Sequence, residues 1–358
     1  MKKLKVKYGN KQIEKKILMK EKRKLNYLII LNISLFLIFL FLIKKYIDIK
    51  NKQNKQNKQN KQNKQNIIKI DKGGFEYFCC FCVMGRLENR YAREVISYYL
   101  SIGFDKFIIA DNNIPNTEKF SDVLQDYIEN NTVDIVNEFY GKYNGNAEVY
   151  LFLYKNYKNK CKWLTFFDFD EYLKMFSEDG KSIGIYEYLS NPKFSKCETV
   201  VVNWVMYGDN DLIYSDNRTT LERFTAPLFN YTYNYYVKPI VRGNLNKHIF
   251  TVNKSHHTPN IEVITCDSMG NIHKNLKEAI KPPQHKYAYL KHFNTRSTEE
   301  YIEKCKRGYP GNRTADTFTK VKLYFLMNRF TEEKLQYFEK SFKRSFNSIR
   351  RLYNKTKK

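Results

Sequence analysis

Between residues 75 and 168, short apolar runs alternate with amphipathic segments, and this alternation is the strongest constraint on the fold. The runs have the length of strands, whereas the segments between them carry apolar residues at helical spacing. We predict strands at 75–84, 106–110, 132–136 and in a run that ends at Asp168, and helices at 89–101, 119–130 and 146–159. This order predicts an α/β fold with a mostly parallel sheet flanked by helices.

The second half of the chain continues with strands that are farther apart. We predict strands at 199–205, 237–242 and 288–293, followed by a helix at 297–307. Ser297 precedes two acidic residues there, which is typical of a helix N-terminus.

Two carboxylates end the apolar run Trp163-Leu-Thr-Phe-Phe167. Asp168 and Asp170 are two residues apart, so in an extended chain their side chains point to the same side. Paired carboxylates, completed by substrate phosphate oxygens, are a usual way to hold Mg²⁺ or Mn²⁺. The alternative is a turn with solvated acids. Glu171 is adjacent and is predicted to be either a local cap or a catalytic carboxylate.

Polar residues follow other predicted strands as well. Arg86 and Glu88 come after the first strand, and Asp111 comes after the second. Ligands of parallel α/β sheets bind beyond the carboxyl ends of the strands, so these residues and Asp168 are expected to share one cleft. The alternatives are a surface ion pair between Arg86 and Glu88, and a turn in which Asp111 binds its own backbone.

These stretches together resemble glycosyltransferase family 92 and its family 2-like relatives. The matching stretches, in the family's order, are 85–113, 167–173, Trp204 with Gly208, 238–242 and 292–308. The sequence departs from the family at Tyr99, where a histidine is usual, and at Phe293, where a tyrosine is common. The resemblance implies a GT-A fold, a DxD motif at Asp168 and Asp170, a nucleotide-sugar donor and a divalent metal.

The resemblance also implies roles for individual residues. Asp168 and Asp170 would hold the metal, Asp168 also the donor ribose, and a late histidine, here His292, would complete the site. Asp111 resembles the acid that binds the donor nucleoside, and Arg86, beside Glu88, would bind the base or the diphosphate. The alternative for His292 is a satisfied core histidine.

Further site residues are predicted from position and chemistry. Lys238 and Arg242 lie on one face of a strand, where they either hold donor phosphates or form a solvated edge. Asp209 is the predicted base for an inverting transfer, and its alternative is a turn aspartate. Trp204 or Tyr207 can stack on a sugar.

The net charge of +26 is carried by the two ends of the chain. Residues 1–72 hold 21 Lys/Arg against 4 Asp/Glu, and residues 317–358 hold 12 against 3, so the middle is neutral. This distribution argues against nucleic-acid binding and fits attraction to anionic lipid. We predict basic amphipathic helices in 311–358, which either lie on a membrane or pack on the domain before them.

Residues 26–43 carry no charge, and 18 helical residues span roughly 27 Å, about one hydrocarbon core. We predict a basic tail at 1–24, a single transmembrane anchor at 25–45, a linker at 46–72 that contains repeated Asn-Lys-Gln, and a GT-A domain at 73–310. Lysine and arginine are balanced around the anchor, so the orientation stays open. The location would be a bacterial inner membrane or the eukaryotic Golgi or ER, depending on the source.

Seven cysteines form no repeated CxxC framework, and we predict buried thiols rather than a zinc site or a disulfide scaffold. The sequence as a whole predicts a membrane-anchored, Mn²⁺- or Mg²⁺-dependent glycosyltransferase, with inversion favoured and a glycan, lipid-linked or protein acceptor. The alternative is a tethered carbohydrate-binding protein that kept the fold and lost catalysis.

Overall fold

The computed structural model describes residues 41, 43–45, 71–142, 145–247, 249–250, 262–276, 278–308 and 317–355. The chain divides into two compact units, 1–70 and 71–358, and the sheet and helices described here belong to the second. In the described ranges no helix is both long and apolar enough to cross a bilayer. The predicted tail, nearly all of the predicted anchor and most of the predicted linker lie outside the described residues.

A ten-stranded mixed sheet forms the centre of the second unit. The strands that the structure describes are β1 (Tyr77–Gly85), β2 (Lys106–Asp111), β3 (Val133–Val136), β4 (Cys161–Phe166), β5 (Glu171–Met175), β6 (Thr199–Met206), β7 (Val237–Arg242), β8 (Thr265–Cys266), β9 (Ile272–His273) and β10 (Ala288–His292). Their order is β3-β2-β1-β4-β7-β6-β10-β5, with β8 and β9 attached to β6.

Most strands of the sheet point the same way. β3, β2, β1 and β4 are mutually parallel, β7 is antiparallel to both of its neighbours, and β10 is parallel to β6. The chain passes from β1 to β2 on one side of β1, whereas β4 lies on its other side. A switch of this kind leaves a crevice outside the carboxyl ends of the strands, where ligands of open α/β sheets bind. The predicted mostly parallel sheet is confirmed.

Helices cover both faces of this sheet. They are α1 (Asn89–Ser101), α2 (Phe120–Val123), α3 (Gln125–Glu129), α4 (Asn146–Tyr157), α5 (Ile185–Leu189), α6 (Thr220–Arg223), α7 (Thr298–Arg307), α8 (Thr317–Met327), α9 (Glu332–Phe342) and α10 (Asn347–Lys355). Side chains alternate along β1, so Phe81 packs on Tyr99 of α1 whereas Cys80 and Cys82 pack with Tyr150 of α4.

The cysteine prediction is wrong for four of the seven residues. Cys80 of β1 is bonded to Cys161 of β4, and Cys197 is bonded to Cys266 of β8. Each pair was missed because strand pairing brings together cysteines that are 81 and 69 residues apart in sequence. The cysteines that stay free in the described chain, Cys79, Cys82 and Cys305, are buried.

The three C-terminal helices pack on α7 and belong to the same compact unit. Leu335, Phe338, Phe346 and Ile349 are buried in one cluster with Tyr301 of α7. The stripe that suggested a membrane-lying helix is therefore covered by protein, and the packing alternative is correct.

Candidate active site

The predicted site residues gather at the carboxyl edge of the sheet, with one exception. β1, β2, β4 and β10 end there, and the antiparallel strands β5 and β7 begin there. This places the loop after β1, Asp111, Asp168, Asp170, Lys238 and His292 at one edge.

Asp168 lies between a tyrosine and a lysine. The Tyr150 hydroxyl donates to Asp168 Oδ1 at 2.9 Å, and Lys238 Nζ lies 2.7 Å from Asp168 Oδ2. Burial of Lys238 favours its neutral form, but Asp168 and Glu171 outweigh this effect and raise the pKa of Lys238. The Asp168 side chain keeps 33% of its surface exposed. Lys238 is thus a fixed buried cation beneath an accessible carboxylate.

Asp170 is buried and contacts a second lysine. Lys304 Nζ of α7 is 2.7 Å from Asp170 Oδ2 and also donates to Asn294 Oδ1 at 2.6 Å. His292 Nε2 is 3.6 Å from Asp170 Oδ1. Burial alone would raise the pKa of Asp170, but Lys304 and His292 hold it well below its usual range. Asp170 is therefore ionised and shared between a lysine and a histidine.

His292 is suited to bind as a neutral imidazole. Burial lowers its pKa against the opposing effect of Asp170. The ring centroid lies 4.3 Å from that of Trp204, and the buried Nδ1 atom has no hydrogen-bond partner. The other ring nitrogen, Nε2, faces Asp170 Oδ1, and an imidazole nitrogen beside a carboxylate oxygen is a donor set that suits Mn²⁺.

Asp170 and His292 lie together and fit the predicted divalent cation, whereas the Asp168 carboxylate contacts Tyr150 and Lys238 instead. Asp168 is paired with Lys238, and within the described residues no group of three His, Cys, Asp or Glu side chains is arranged around one point. Mg²⁺ and Mn²⁺ are often held by one or two protein ligands plus substrate phosphates, so a two-residue set is chemically sufficient. A cation at Asp170 would have to displace Lys304.

The loop after β1 is fixed by the Asp111-Asn112-Asn113 motif. Leu87 has a positive φ of 54°, and its N–H donates to Asn113 Oδ1 at 2.5 Å. Arg307 of α7 pairs with Glu88 at 2.9 Å and donates to the Arg86 carbonyl at 3.0 Å. Glu88 therefore pairs with Arg307 of α7, and the Arg86 backbone is held by the same side chain.

Asp111 binds the backbone of its own turn, as its alternative interpretation expects. Oδ1 accepts from the N–H of Asn113 at 2.9 Å, and Oδ2 accepts from that of Phe120 at 3.0 Å. The side chain is fully buried. Both oxygens thus accept from backbone donors, and contact with a donor nucleoside stays a prediction.

Glu171 is a local cap rather than a catalytic carboxylate. It is fully buried, accepts from the N–H of Asp168 at 2.9 Å and lies 3.6 Å from Lys238. Burial raises its pKa to about 8. A side chain with no exposed surface cannot contact an acceptor hydroxyl, so the catalytic assignment is corrected.

Asp209 is not available as a base either. Its carboxylate is buried, lies 2.7 Å from Lys334 Nζ and accepts a hydrogen bond from the Tyr324 hydroxyl. It also caps its own turn through the N–H of Asp211 at 2.9 Å. Asp209 thereby joins the end of β6 to α8 and α9, and the prediction missed this because Tyr324 and Lys334 are distant in sequence.

Arg242 is the exception that lies at the other edge. It shares a strand face with Lys238, but four extended residues separate them by roughly 13 Å. Arg242 pairs with Trp163 near the start of β4, and its guanidinium lies 4.3 Å from that ring centroid. It donates to the carbonyls of Phe194 and Cys197, so its role is structural.

A basic cavity of about 240 Å³ opens beside Asp170 and was not predicted. Its lining residues are Leu87, Arg90, Tyr91, Asn294, Thr295, Arg296, Glu300, Glu303, Lys304 and Arg307. The buried Arg296 donates to the Phe169 carbonyl, stacks over Tyr91 at 3.4 Å and leaves its Nε without a partner. Lys304 and Arg307 are three apart on α7, and this spacing could have indicated a common basic face.

Comparisons with known proteins add little to this description. No family profile matches the sequence, and no curated relative does. Among solved structures, TarS 1–349 of S. aureus is 12% identical at a TM-score of 0.30, covering 69% of each chain. The same protein with UDP-GlcNAc is 10% identical at a TM-score of 0.35, covering 74% of this chain and 81% of that one. At such TM-scores the likeness carries no conclusion about this chain, which is established as a mixed α/β protein.

Proposed function

We propose that this chain is a glycosyltransferase of GT-A fold that uses a nucleotide-sugar donor. One observation carries the proposal. Asp170, His292 and Lys304 converge beside a cavity with four cationic side chains, in the crevice where open α/β sheets bind ligands. The order of motifs that resembles family 92 supports the same activity.

The basic cavity suits a diphosphate. Four cations and two carboxylates line it, so its lining carries an excess of positive charge. Arginine forks bind phosphate oxygens in a bidentate manner, and the unpartnered Nε of Arg296 has a donor to offer. We assign Arg296, Lys304 and Arg307 to the donor phosphates, where fixed positive charge would stabilise the departing nucleotide.

Asp168 is the carboxylate that we assign to the acceptor side. Of the three acids Asp168, Asp170 and Glu171, it alone keeps substantial exposure, since the other two are buried. An inverting transfer needs a base within hydrogen-bond reach of the acceptor hydroxyl. Lys238 beneath it holds the carboxylate in place.

A divalent cation remains part of the proposal, with Asp170 and His292 as its protein ligands. When bound, Mn²⁺ or Mg²⁺ would neutralise charge on the leaving diphosphate. His292 offers its neutral ring, and Asp170 offers an ionised carboxylate. The ion pair between Asp170 and Lys304 is what such a cation would replace.

Membrane attachment through 25–45 is likewise a proposal, supported by the charge-free run and its flanking lysines. A glycan, lipid-linked or protein acceptor would then be met at the membrane, and nucleic acid is not an expected partner. Sedimentation of the full chain with membranes after salt washing tests the anchor, and a chain that stays in the supernatant contradicts it.

The decisive experiment measures nucleotide release by the full chain in detergent across UDP-, GDP- and CMP-linked sugars. We expect release from at least one donor and a loss of about 100-fold or more in Asp170→Asn, because a buried preorganised charge is removed. Asp179→Asn, in an exposed turn, is the matched control. Excess chelator should lower release and Mn²⁺ should restore it.

If the unmodified chain releases nucleotide from no donor yet binds sugars, the carbohydrate-binding alternative is correct. If nucleotide release is insensitive to chelator but is lost in Asp170→Asn, the proposed transferase activity is supported and the proposed metal ion is contradicted.

A further inference from the structure

Arg296 is a buried cation without a counter-ion among the described residues. It lines the basic cavity, is 6% exposed, and has no carboxylate oxygen within ion-pair distance. The other charged side chains of the lining are paired: Arg90 with Glu303 at 3.0 Å, Lys304 with Asp170 at 2.7 Å, Arg307 with Glu88 at 2.9 Å, and Glu300 with Arg223 at 2.7 Å. Because an unpaired buried charge is costly, the exception at Arg296 indicates a site for an external anion.

Two polar atoms at this cavity have no hydrogen-bond partner in the described part of the chain. They are Arg296 Nε and the hydroxyl of Thr295, a residue that is 1% exposed. The rest of the Arg296 guanidinium is engaged, since Nη2 donates to the Phe169 carbonyl at 3.0 Å and the group lies 3.4 Å from the Tyr91 ring centroid. A buried donor without a partner destabilises the folded chain, so each of these two atoms gains from a ligand that accepts its hydrogen.

Backbone strain occurs at the same cavity. Nine described residues other than glycine have a positive φ, and six of them are asparagine or aspartate, which tolerate this conformation. The others are Leu87, Arg296 and Lys343, with φ of 54°, 49° and 49°. Leu87 and Arg296 line the cavity, and strain of this kind concentrates at ligand sites. The fold therefore holds Arg296 in an unusual conformation before any ligand binds.

We propose that Thr295 and Arg296 bind a diphosphate in this cavity directly, without a bridging metal ion. The inference rests on the proposed glycosyltransferase function, in which the diphosphate belongs to the nucleotide-sugar donor. A phosphate oxygen accepts from the Nε–H of arginine and from the hydroxyl of threonine, and its charge compensates the guanidinium. The candidate cation at Asp170 and His292 would then be needed for transfer rather than for donor binding.

The size and lining of the cavity favour the diphosphate over the rest of the donor. Its volume of about 240 Å³ lies below the roughly 300–1,000 Å³ of pockets that enclose a drug-sized ligand, so it takes only part of a nucleotide sugar. The ring of Tyr91 is buried against Arg90 and Arg296, so a nucleobase cannot stack on it. The charged part of the donor is the part that matches this lining.

The binding test uses the full chain in detergent, excess EDTA and inorganic pyrophosphate as the probe. We expect calorimetry to detect pyrophosphate binding without a divalent cation, and we expect pyrophosphate to raise the Tm. Sodium acetate at equal ionic strength should leave the Tm unchanged, whereas a general site for anions would respond to both. Pyrophosphate that binds only after Mn²⁺ is added overturns the inference.

Two matched threonine variants locate the site. Thr295→Val keeps the shape of the side chain and removes the hydroxyl, so the Kd for pyrophosphate should rise about tenfold, the usual effect of one hydrogen bond to a charged group. Thr199→Val removes another buried hydroxyl without a partner, at the start of β6 and the opposite edge of the sheet, and should leave the Kd unchanged. Neither variant loses a protein hydrogen bond, so both should keep at least the Tm of the unmodified chain without pyrophosphate.

Arg296→Lys separates charge from geometry. Lysine keeps the positive charge but lacks the planar fork of N–H donors, so the Kd should rise more than in Thr295→Val. This variant also loses the contacts with Tyr91 and Phe169, so its Tm is measured first. Thr295→Val decides the inference whether or not Arg296→Lys folds.

The outcomes separate this inference from the proposed function. Pyrophosphate binding in EDTA that only Thr295→Val weakens, together with no nucleotide release by the unmodified chain, supports the phosphate site and contradicts the transferase. Nucleotide release by a chain that binds no pyrophosphate in EDTA, or that binds it equally well in both threonine variants, overturns the phosphate site alone. An equal response to acetate overturns the assignment of a diphosphate as the occupant.

Discussion

At the scale of single residues, Lys304 decides how Asp170 behaves. Its ammonium group lies 2.7 Å from a buried carboxylate that a divalent cation would also need. The sequence predicted the acid from its position after an apolar strand. It could not predict the lysine, because 134 residues separate the two and only the fold brings them together.

Lys304→Met should therefore destabilise the protein and make its stability depend on metal. An unpaired buried carboxylate costs about 3–5 kcal/mol, and an ion that binds only the folded state restores part of that. We expect Mn²⁺ to raise the Tm of Lys304→Met more than that of the unmodified chain. Lys306→Met, an exposed neighbour on α7, is the control. Equal shifts in all three proteins would argue against a cation at Asp170.

Glu300 gives a pH dependence with a defined direction. Burial would raise its pKa, but donation from Arg223, Ser297 and Tyr91 outweighs this and lowers it to about 2 from 4.5. Its stabilising contribution is fully present above pH 4.5 and is lost as pH falls toward 2. The shift corresponds to about 3 kcal/mol.

Urea midpoints measured between pH 2 and pH 5 test this dependence. Glu300→Gln should be less stable at pH 5 and should lose less stability over that window than the unmodified chain. Glu303→Gln, whose side chain is 57% exposed, should follow the unmodified chain. Identical slopes for Glu300→Gln and the unmodified chain would show that another group causes the acid loss.

At the scale of elements, the C-terminal helices complete the domain rather than extend from it. Tyr324, Phe325 and Phe338 pack on Tyr301 of α7, and the buried pair of Asp209 with Lys334 joins the same helices to β6. Since α7 supplies Lys304 and Arg307 to the site, the C-terminal helices stabilise the site by packing on α7.

Phe338→Ala should lower the free energy of unfolding by about 3–5 kcal/mol, because it leaves a cavity in that cluster. Leu326→Ala is the control, since Leu326 is 55% exposed on the adjacent α8. Chemical denaturation of both variants measures the difference. A loss below about 1 kcal/mol in Phe338→Ala would mean that the helices are loosely attached.

Helices and strands were predicted correctly where the residue pattern itself is periodic. They were missed where pairing with a distant part of the chain forms the element. The α1 helix and β7 lie at the predicted residues, and Ser297 caps α7 with a hydrogen bond to Glu300 N–H as expected. β8 and β9 have two residues each and are formed by pairing with β6 and with each other, so the sequence contains no periodic pattern that predicts them. The predicted helix at 119–130 is divided at Leu124 into α2 and α3.

At the scale of the whole molecule, the sequence predicted that the site lies at the carboxyl edge of the sheet. It predicted the roles of the residues at that edge only in part. Alternating strands and helices indicated the edge, and the acids at strand ends indicated its position. The partners that decide each role, such as Lys334 for Asp209 and Arg307 for Glu88, come from helices far along the chain. Arg242 was misplaced because a shared strand face does not mean a shared end of the strand.

The two disulfides predict how many cysteine thiols react before and after reduction. The unreduced, denatured chain should take up three maleimide tags, at Cys79, Cys82 and Cys305, and the reduced chain should take up seven. The mass after tagging measures this directly. Cys80→Ser should raise the number of tags in the unreduced chain to four, because Cys161 loses its partner. Seven tags without reduction would contradict both bonds.

Those same crosslinks bear on which side of a membrane the second unit occupies. Glutathione and thioredoxin keep cytosolic cysteines reduced, whereas disulfides persist in the periplasm, in the secretory lumen and outside the cell. If 25–45 spans a bilayer, the crosslinked unit then faces away from the cytosol and the basic 1–24 tail stays within it, an orientation that loop charges alone left open. If the proposed transferase activity is correct, its nucleotide-sugar donor would then have to be present on that side of the membrane.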